Sequence, residues 1–196
     1  MPHKSPREKF FLQGKLLALC DTETDGGGWV IIQRRVRGDE DFYRGWDDYK
    51  RGFGTPDTDF WIGNDIIHDL TSQGNNELRI DFVYNETQYF AQYTNFTVAD
   101  ESAQYLMTIG GFSGNVFDSM SYHNGNKFTT FDRDNNDLSD KNLAVAFHGA
   151  WWYSWSCRAN LNGAWSVTDS WGIAWYVPTD PNWYTLSFTE MKIRNI

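Results

Sequence analysis

The sequence predicts an α+β domain whose sheet is antiparallel, with short helices and long loops. Three observations predict it. Apolar and polar residues alternate with the two-residue period of half-buried strands over most of the apolar segments. Helical periodicity is confined to two brief stretches, and Gly, Asn and Asp turn signals punctuate the chain throughout.

In chain order, the turn Asp25-Gly26-Gly27-Gly28 leads into a strand at residues 28–36 (GWVIIQRRV). Two short helices follow, at residues 45–52 (GWDDYKRG) and 64–72 (NDIIHDLTS). Strand alternation then dominates at residues 77–84 (ELRIDFVY), 87–98 (TQYFAQYTNFTV), 105–112 (YLMTIGGF), 143–149 (LAVAFHG) and 184–196 (YTLSFTEMKIRNI). Between them lie Gly110-Gly111, Ser113-Gly114-Asn115, His123-Asn124-Gly125 and Asn162-Gly163. Loops are densest after residue 110. Long loops in a compact domain usually serve a site, so the C-terminal half is where one is expected.

A chain of 196 residues supports one sizeable core. Aromatics make up 17% of it against 40% apolar residues in all, so ten Trp, ten Tyr and fourteen Phe must supply much of the buried area. The net charge of −9 repels phosphate backbones and the basic runs are short, which excludes nucleic acid as an expected partner. An acidic chain with clustered Asp suits Ca²⁺ better. No run approaches the roughly 20 apolar residues that cross a bilayer, and the N-terminus lacks the apolar region and cleavage site of a signal peptide. Asn85-Glu86-Thr87 and Asn95-Phe96-Thr97 are glycosylation acceptors if the chain is secreted. Two cysteines, Cys20 and Cys157, make no disulfide scaffold.

Three constellations carry possible chemistry. In Asp132-Arg133-Asp134-Asn135-Asn136-Asp137, side-chain oxygens recur at alternate positions, as at the start of a Ca²⁺ loop. It is no EF-hand, because position six is Asp137 where Gly is required and position twelve is Leu143 where a Glu belongs. A solvated polar turn is the competing reading. His148 and Cys157 could form a nucleophile pair, but no Gly-rich oxyanion turn frames Cys157, so no enzyme is expected. His68 reads as a packed or capping residue, and the four His lack zinc spacing. Finally, Trp151, Trp152, Tyr153, Trp155, Trp165, Trp171, Trp175, Trp183 and Tyr184 crowd one part of the chain. Most must be core, with one or two left for a pocket rim.

The ordered strings CDTETDGGGW (from Cys20), IIQRR, DFYRGWDDYKRGFG, FWIGNDIIHDLTSQG, ELRIDF, SYHNGNKFTTFDRDN, GAWWY, RANLNG and TEMKIR together resemble the fibrinogen C-terminal domain, found in fibrinogen, ficolins, tachylectins, tenascins and angiopoietins. The resemblance covers about residues 20 to 194. It implies a domain at residues 20–196 after a divergent segment 1–19, with a twisted antiparallel sheet and a loop-rich C-terminal subdomain that sets a calcium site beside a ligand pocket.

Carried over by position, the resemblance implies Ca²⁺ ligands from two side chains two apart, followed by two carbonyls before a Cys. Leu143 stands at that Cys, and the segment is one residue longer here. The side-chain ligands are then Asp134 with Asp137, or Asp134 with Asn136 if the extra residue falls later. The first register is preferred, with carbonyls from Ser139 and Lys141 and Asp132 assisting from outside or through water. For the pocket the resemblance implies Phe147, a cis peptide at Trp155-Ser156, Cys157 where the family has His, Asp169 and Ser170 in place of a Tyr and its small neighbour, and Tyr184. Both halves of one family disulfide are missing, as Leu143 and Ser156, and no upstream Cys is available to Cys20. Pairing of Cys20 with Cys157 stays open.

The function implied is that of a secreted, calcium-dependent lectin-like module of innate immunity that binds glycans or acetylated groups, oligomeric in the full-length protein. The alternative is an extracellular protein-interaction or matrix module of the tenascin or angiopoietin type, docking a protein receptor.

Overall fold

The computed structural model describes residues 7–12, 16–179 and 183–196. The basic run at residues 3–9 and the segment 1–19 lie partly outside the described residues. What is described of them is a hairpin of β1 (Arg7–Leu12) and β2 (Leu16–Asp21). Then come β3 (Trp29–Arg35), α1 (Trp46–Arg51), β4 (Phe53–Gly54), β5 (Phe60–Trp61) and α2 (Asn64–Thr71). The long strands β6 (Asn76–Tyr84), β7 (Thr87–Val98) and β8 (Met107–Gly114) follow. The loop-rich half holds α3 (Leu143–Ala146), β9 (Ala159–Asn160), β10 (Ala174–Trp175) and β11 (Tyr184–Thr185), and β12 (Phe188–Asn195) ends the fold.

The main sheet runs β1-β2-β3-β12-β6-β7-β8, with β5 on β3 and β4 on β5. All its pairings are antiparallel, as the alternation predicts. The last strand, β12, sits between β3 and β6, so the C-terminal TEMKIR segment closes the centre of the sheet. Upstream, the strand that the resemblance pairs with Cys20 is present, but Glu8 faces Cys20 across the hairpin. Cys20 and Cys157 are both buried free thiols, so the open possibility of their pairing is corrected.

Local chemistry explains most elements. In α1, Asp47 and Asp48 in the first turn and Lys50 and Arg51 in the last complement the helix dipole, while Trp46 and Tyr49 are buried. The β6–β7 turn has positive φ at Asn85 (46°) and Glu86 (61°), the geometry of a tight hairpin. Two sequence expectations fail here. The strand expected at residues 143–149 is absent: Leu143–Ala146 forms one helical turn, because Asn142 caps it, its Oδ1 accepting from Ala144 N–H (2.8 Å) and Val145 N–H (3.2 Å). The strand expected at residues 184–196 breaks in two, with β11 pairing β10 in a separate three-stranded sheet.

The core packs around rings. Trp61 lies 6.0 Å from Phe128 and 6.2 Å from Trp152, joining the sheet side to the loop-rich half. Two buried indoles find acceptors, Trp152 Nε1 donating to Tyr105 O (2.7 Å) and Trp61 Nε1 to Asn64 Oδ1 (3.0 Å), whereas Trp151 Nε1 has none among the described residues. His68 reaches the Val98 carbonyl (2.9 Å) and is a packed residue.

Candidate ligand-binding site

Loop 132–143 is an acidic turn whose polar groups are largely engaged. Asp132 Oδ1 accepts from Trp46 N–H (2.9 Å) and Thr130 Oγ1 (2.6 Å), tying the loop to the start of α1. Asp134 Oδ1 accepts from Asn136 N–H (3.2 Å), and Asp137 Oδ2 accepts from Ser154 Oγ (3.0 Å). Asn136 spans the loop. Its Oδ1 accepts from Leu143 N–H (2.7 Å), and its Nδ2 donates to the carbonyls of Leu138 (3.0 Å) and Lys141 (3.0 Å). Ser139 is exposed.

The resemblance implies calcium here. The donor set as it stands does not fit one. The Lys141 carbonyl expected to face the ion faces an amide N–H instead, and Asp137 turns toward Ser154. Among the described residues no three His, Cys, Asp or Glu side chains converge as metal ligands.

The aromatic wall beside the loop divides as its composition requires. Trp151, Trp152, Tyr153 and Trp175 are fully buried, whereas Trp155 is 64% exposed. Ser154 N–H donates to Ser156 O (3.3 Å), folding a tight bend that lifts Trp155 into solvent. The described peptide bonds are all trans, so the cis bond expected at Trp155-Ser156 is corrected. Ser156 is exposed; Cys157 is buried, and burial pushes its thiol pKa well up, the opposite of what a nucleophile needs.

Asn160, unremarked in the sequence, organises this wall. Its Nδ2 donates to the carbonyls of Phe147 (3.0 Å), Ser170 (3.2 Å) and Gly172 (3.2 Å), and its Oδ1 accepts from Tyr153 Oη (2.7 Å). Phe147 and Ser170 are thereby brought together, with the Phe147 ring 5.6 Å from Tyr153. Exposed Asp169 accepts from Ser170 N–H and Oγ. Tyr184 stands elsewhere: it stacks on Tyr84 at 3.8 Å and lines a second cleft with Tyr89, Phe117 and Pro178. Asn160→Ala, which removes a partner from two buried groups (Gly172 O and Tyr153 Oη) and two half-buried ones, is expected to cost about 2–4 kcal/mol in denaturant unfolding with an unchanged m-value.

The structure adds a cleft that sequence reasoning missed. It has a volume of about 510 Å³ and runs between the acidic loop Asp39, Glu40, Asp41 and the rings of Tyr43, His148 and Trp165. Buried Asp59 positions that acidic loop, its carboxylate accepting from the N–H groups of Val36, Arg37 and Gly38 at 2.6, 2.9 and 2.8 Å. Gly38 is required, since a Cβ there would lie 2.1 Å from the Trp165 ring. At the mouth, partly exposed rings form a row: Phe131 to Tyr43 (5.0 Å), Tyr43 to His148 (5.3 Å) and His148 to Trp171 (4.9 Å). His148 holds a left-handed backbone, φ 47°. Asp39 has no hydrogen-bond or ion-pair partner among the described residues, while Glu40 pairs with Arg44 at 2.5 Å.

An antiparallel sheet backed by a loop-rich half with these clefts makes a fibrinogen-like globe. The fibrinogen-like globe domain of human ANGPTL6 superposes with a TM-score of 0.91 at 32% identity, covering 98% of this chain and 90% of that one. The family of the C-terminal globular domain of fibrinogen beta and gamma chains matches residues 8–196, and the chain belongs to it. Human tenascin-R is 45% identical over 188 residues, which cover 93% of this chain. The chain spans only 13% of the length of tenascin-R. Lamprey fibrin D-dimer, complexed with the peptide ligand Gly-His-Arg-Pro-amide, has the same fold at 27% identity and a TM-score of 0.83, over 96% of this chain and 69% of that one. Among the described residues no helix is long and apolar enough to cross a membrane.

Proposed function

We propose that this chain is the recognition domain of an extracellular protein and binds a basic segment of a partner protein in the cleft between Asp39 and the ring row. The observation that carries this reading is the pairing of an unpartnered carboxylate with exposed aromatic faces across one opening. Such a cleft offers a Lys or Arg side chain an ion pair at its tip and ring faces along its stem. Its volume is that of an ordinary ligand pocket. The net charge of −9 would draw basic segments in from a distance. A short peptide containing Arg in complex with a protein of the same fold lends support. Catalysis is no part of this reading, since Cys157 is buried with its pKa raised. Passage through the secretory route would make the exposed Asn85 and Asn95 glycan acceptors.

One observation favours a second reading, binding of glycans or acetylated groups: Trp155 is exposed and has no ring partner among the described residues, a platform on which a sugar could stack. Oligomerisation of the full-length protein would supply multivalency to either. A peptide array and a glycan array separate them. Basic peptides are expected to bind in low salt, with Asp39→Asn and Tyr43→Ala each weakening binding about tenfold and Trp155→Ala leaving it unchanged. Glycan binding lost in Trp155→Ala, with no peptide bound, would establish the second reading instead.

A further inference from the structure

We propose that the amide of Asn136 takes the place of a calcium ion in loop 132–143, so that this domain holds its acidic loop closed without metal. Which end of the amide faces which backbone group decides between a hydrogen-bonded brace and an ion. Leu143 N–H points at Asn136 from 2.7 Å and is a donor, so the atom it meets must be Oδ1. That fixes Nδ2 on the other side, where its two N–H groups meet two acceptors, the carbonyls of Leu138 and Lys141, at 3.0 Å each. The amide is satisfied at both ends, and three backbone groups from 138 to 143 converge on one side chain.

A cation cannot share this arrangement. Ca²⁺ requires oxygen at every ligand position, and here the side chain presents the positive end of an N–H dipole to the carbonyls that would ligate the ion. Rotating the amide by 180° would offer Oδ1 to the ion. It would also set Nδ2–H against Leu143 N–H, donor against donor, and give up all three hydrogen bonds. Asp137, the alternative ligand, is held by Ser154 Oγ, and Asp132 by Trp46 N–H and Thr130 Oγ1. A carboxylate at position 136 would behave differently. One oxygen would keep the Leu143 N–H, and the other would stand beside the Leu138 and Lys141 carbonyls as a third oxygen, with the Asp134 carboxylate on the same loop. One atom, nitrogen in place of oxygen, separates the self-braced loop from a calcium loop.

Thermal unfolding of the purified chain, in EGTA and in about 1 mM CaCl₂, near the upper end of the dissociation constants of extracellular calcium modules, tests this. The wild-type midpoint is expected to be the same in both. Asn136→Asp is expected to gain a calcium-dependent rise of several degrees and to sensitise bound Tb³⁺ luminescence through the nearby aromatics, which the wild type does not. Asn136→Ala is expected to melt about 4–8 °C lower in either buffer, having lost three hydrogen bonds. A wild-type midpoint raised by calcium and lowered by EGTA would overturn the proposal. So would an Asn136→Asp chain without calcium response, or an Asn136→Ala chain as stable as the wild type.

Discussion

Lys192→Met is expected to lower the unfolding free energy by about 3–5 kcal/mol, a large share of the roughly 5–15 kcal/mol by which domains are stable. Lys192 lies on β12 at the middle of the sheet and is fully buried. Its ammonium stands 2.6 Å from Asp21 on β2, 2.6 Å from Asp81 on β6 and 3.5 Å from Glu190. Arg7 of β1 reaches Glu190 at 2.8 Å and Asp21 at 3.2 Å, Arg34 reaches Glu190 at 3.3 Å and Arg79 reaches Asp81 at 2.9 Å. Removing the ammonium leaves buried carboxylates with less compensation than their desolvation costs.

Burial by itself would raise the Asp21 pKa. The hydrogen bonds from Lys192 and from the N–H groups of Thr24 and Glu23 outweigh it and hold the group well below the usual carboxylate range. A depressed carboxylate stabilises above its unfolded pKa of about 4 and loses that contribution as pH falls further. Urea unfolding at neutral pH measures the effect, with exposed Arg51→Ala as control at under about 1 kcal/mol for its ion pair with Asp47. A Lys192→Met loss no larger than that control would show that the buried network is not what joins the N-terminal hairpin to β12.

Acidification from pH 7 toward 4 is expected to remove about 3 kcal/mol of stability through a single histidine, His123, with the loss centred on the loop-rich half. His123 is fully buried: Nδ1 bonds the Trp152 carbonyl at 2.8 Å, and Nε2 accepts from the N–H groups of Arg158 and Ala159 at 3.1 Å each. Only the neutral Nδ1–H tautomer satisfies all three. Protonation would aim a third N–H at two others. Burial pushes the pKa down to about 4, with the Arg158 charge adding to it and the Trp152 carbonyl opposing.

The sign follows. A His whose folded pKa lies below the unfolded value of about 6.5 contributes full stability above that pH and loses it as pH falls toward 4. Asp21 acts only below that window, so two separate acid phases are expected. Thermal midpoints between pH 7 and 4 check this. His123→Gln is expected to melt lower at pH 7 but nearly flat across the window, and an unchanged slope in the variant would assign the effect to other groups.

Much of the sheet was legible. Residues 87–98 alternate between buried and exposed positions over part of their length, whereas residues 29–35 and 76–84, inside the sheet, are buried at most positions on both faces. Both brief helices are bracketed by residues that start or stop a turn, and the structure keeps them. Residues 143–146 were misread because Leu-Ala-Val-Ala satisfies the strand period over so few residues that the Asn142 cap decides. The split at residues 185–188 was hidden for a related reason: the break is made by a change of partner, from β10 to β3 and β6, which alternation cannot register. The cleft was not legible, because Tyr43 and His148 meet across more than a hundred residues of chain.

By itself the sequence determined the family, the antiparallel sheet, the aromatic core and the acidic character of the loop, since these follow from residue type, order and period. Only the tertiary structure decided what the polar groups do. The side of Asn136 that faces Lys141, the lone pair that His123 offers Arg158 and Ala159, and the isolation of Asp39 are set by where distant backbone donors and acceptors point. Hydrogen bonds and ion pairs depend on direction and distance, which residue order does not encode locally.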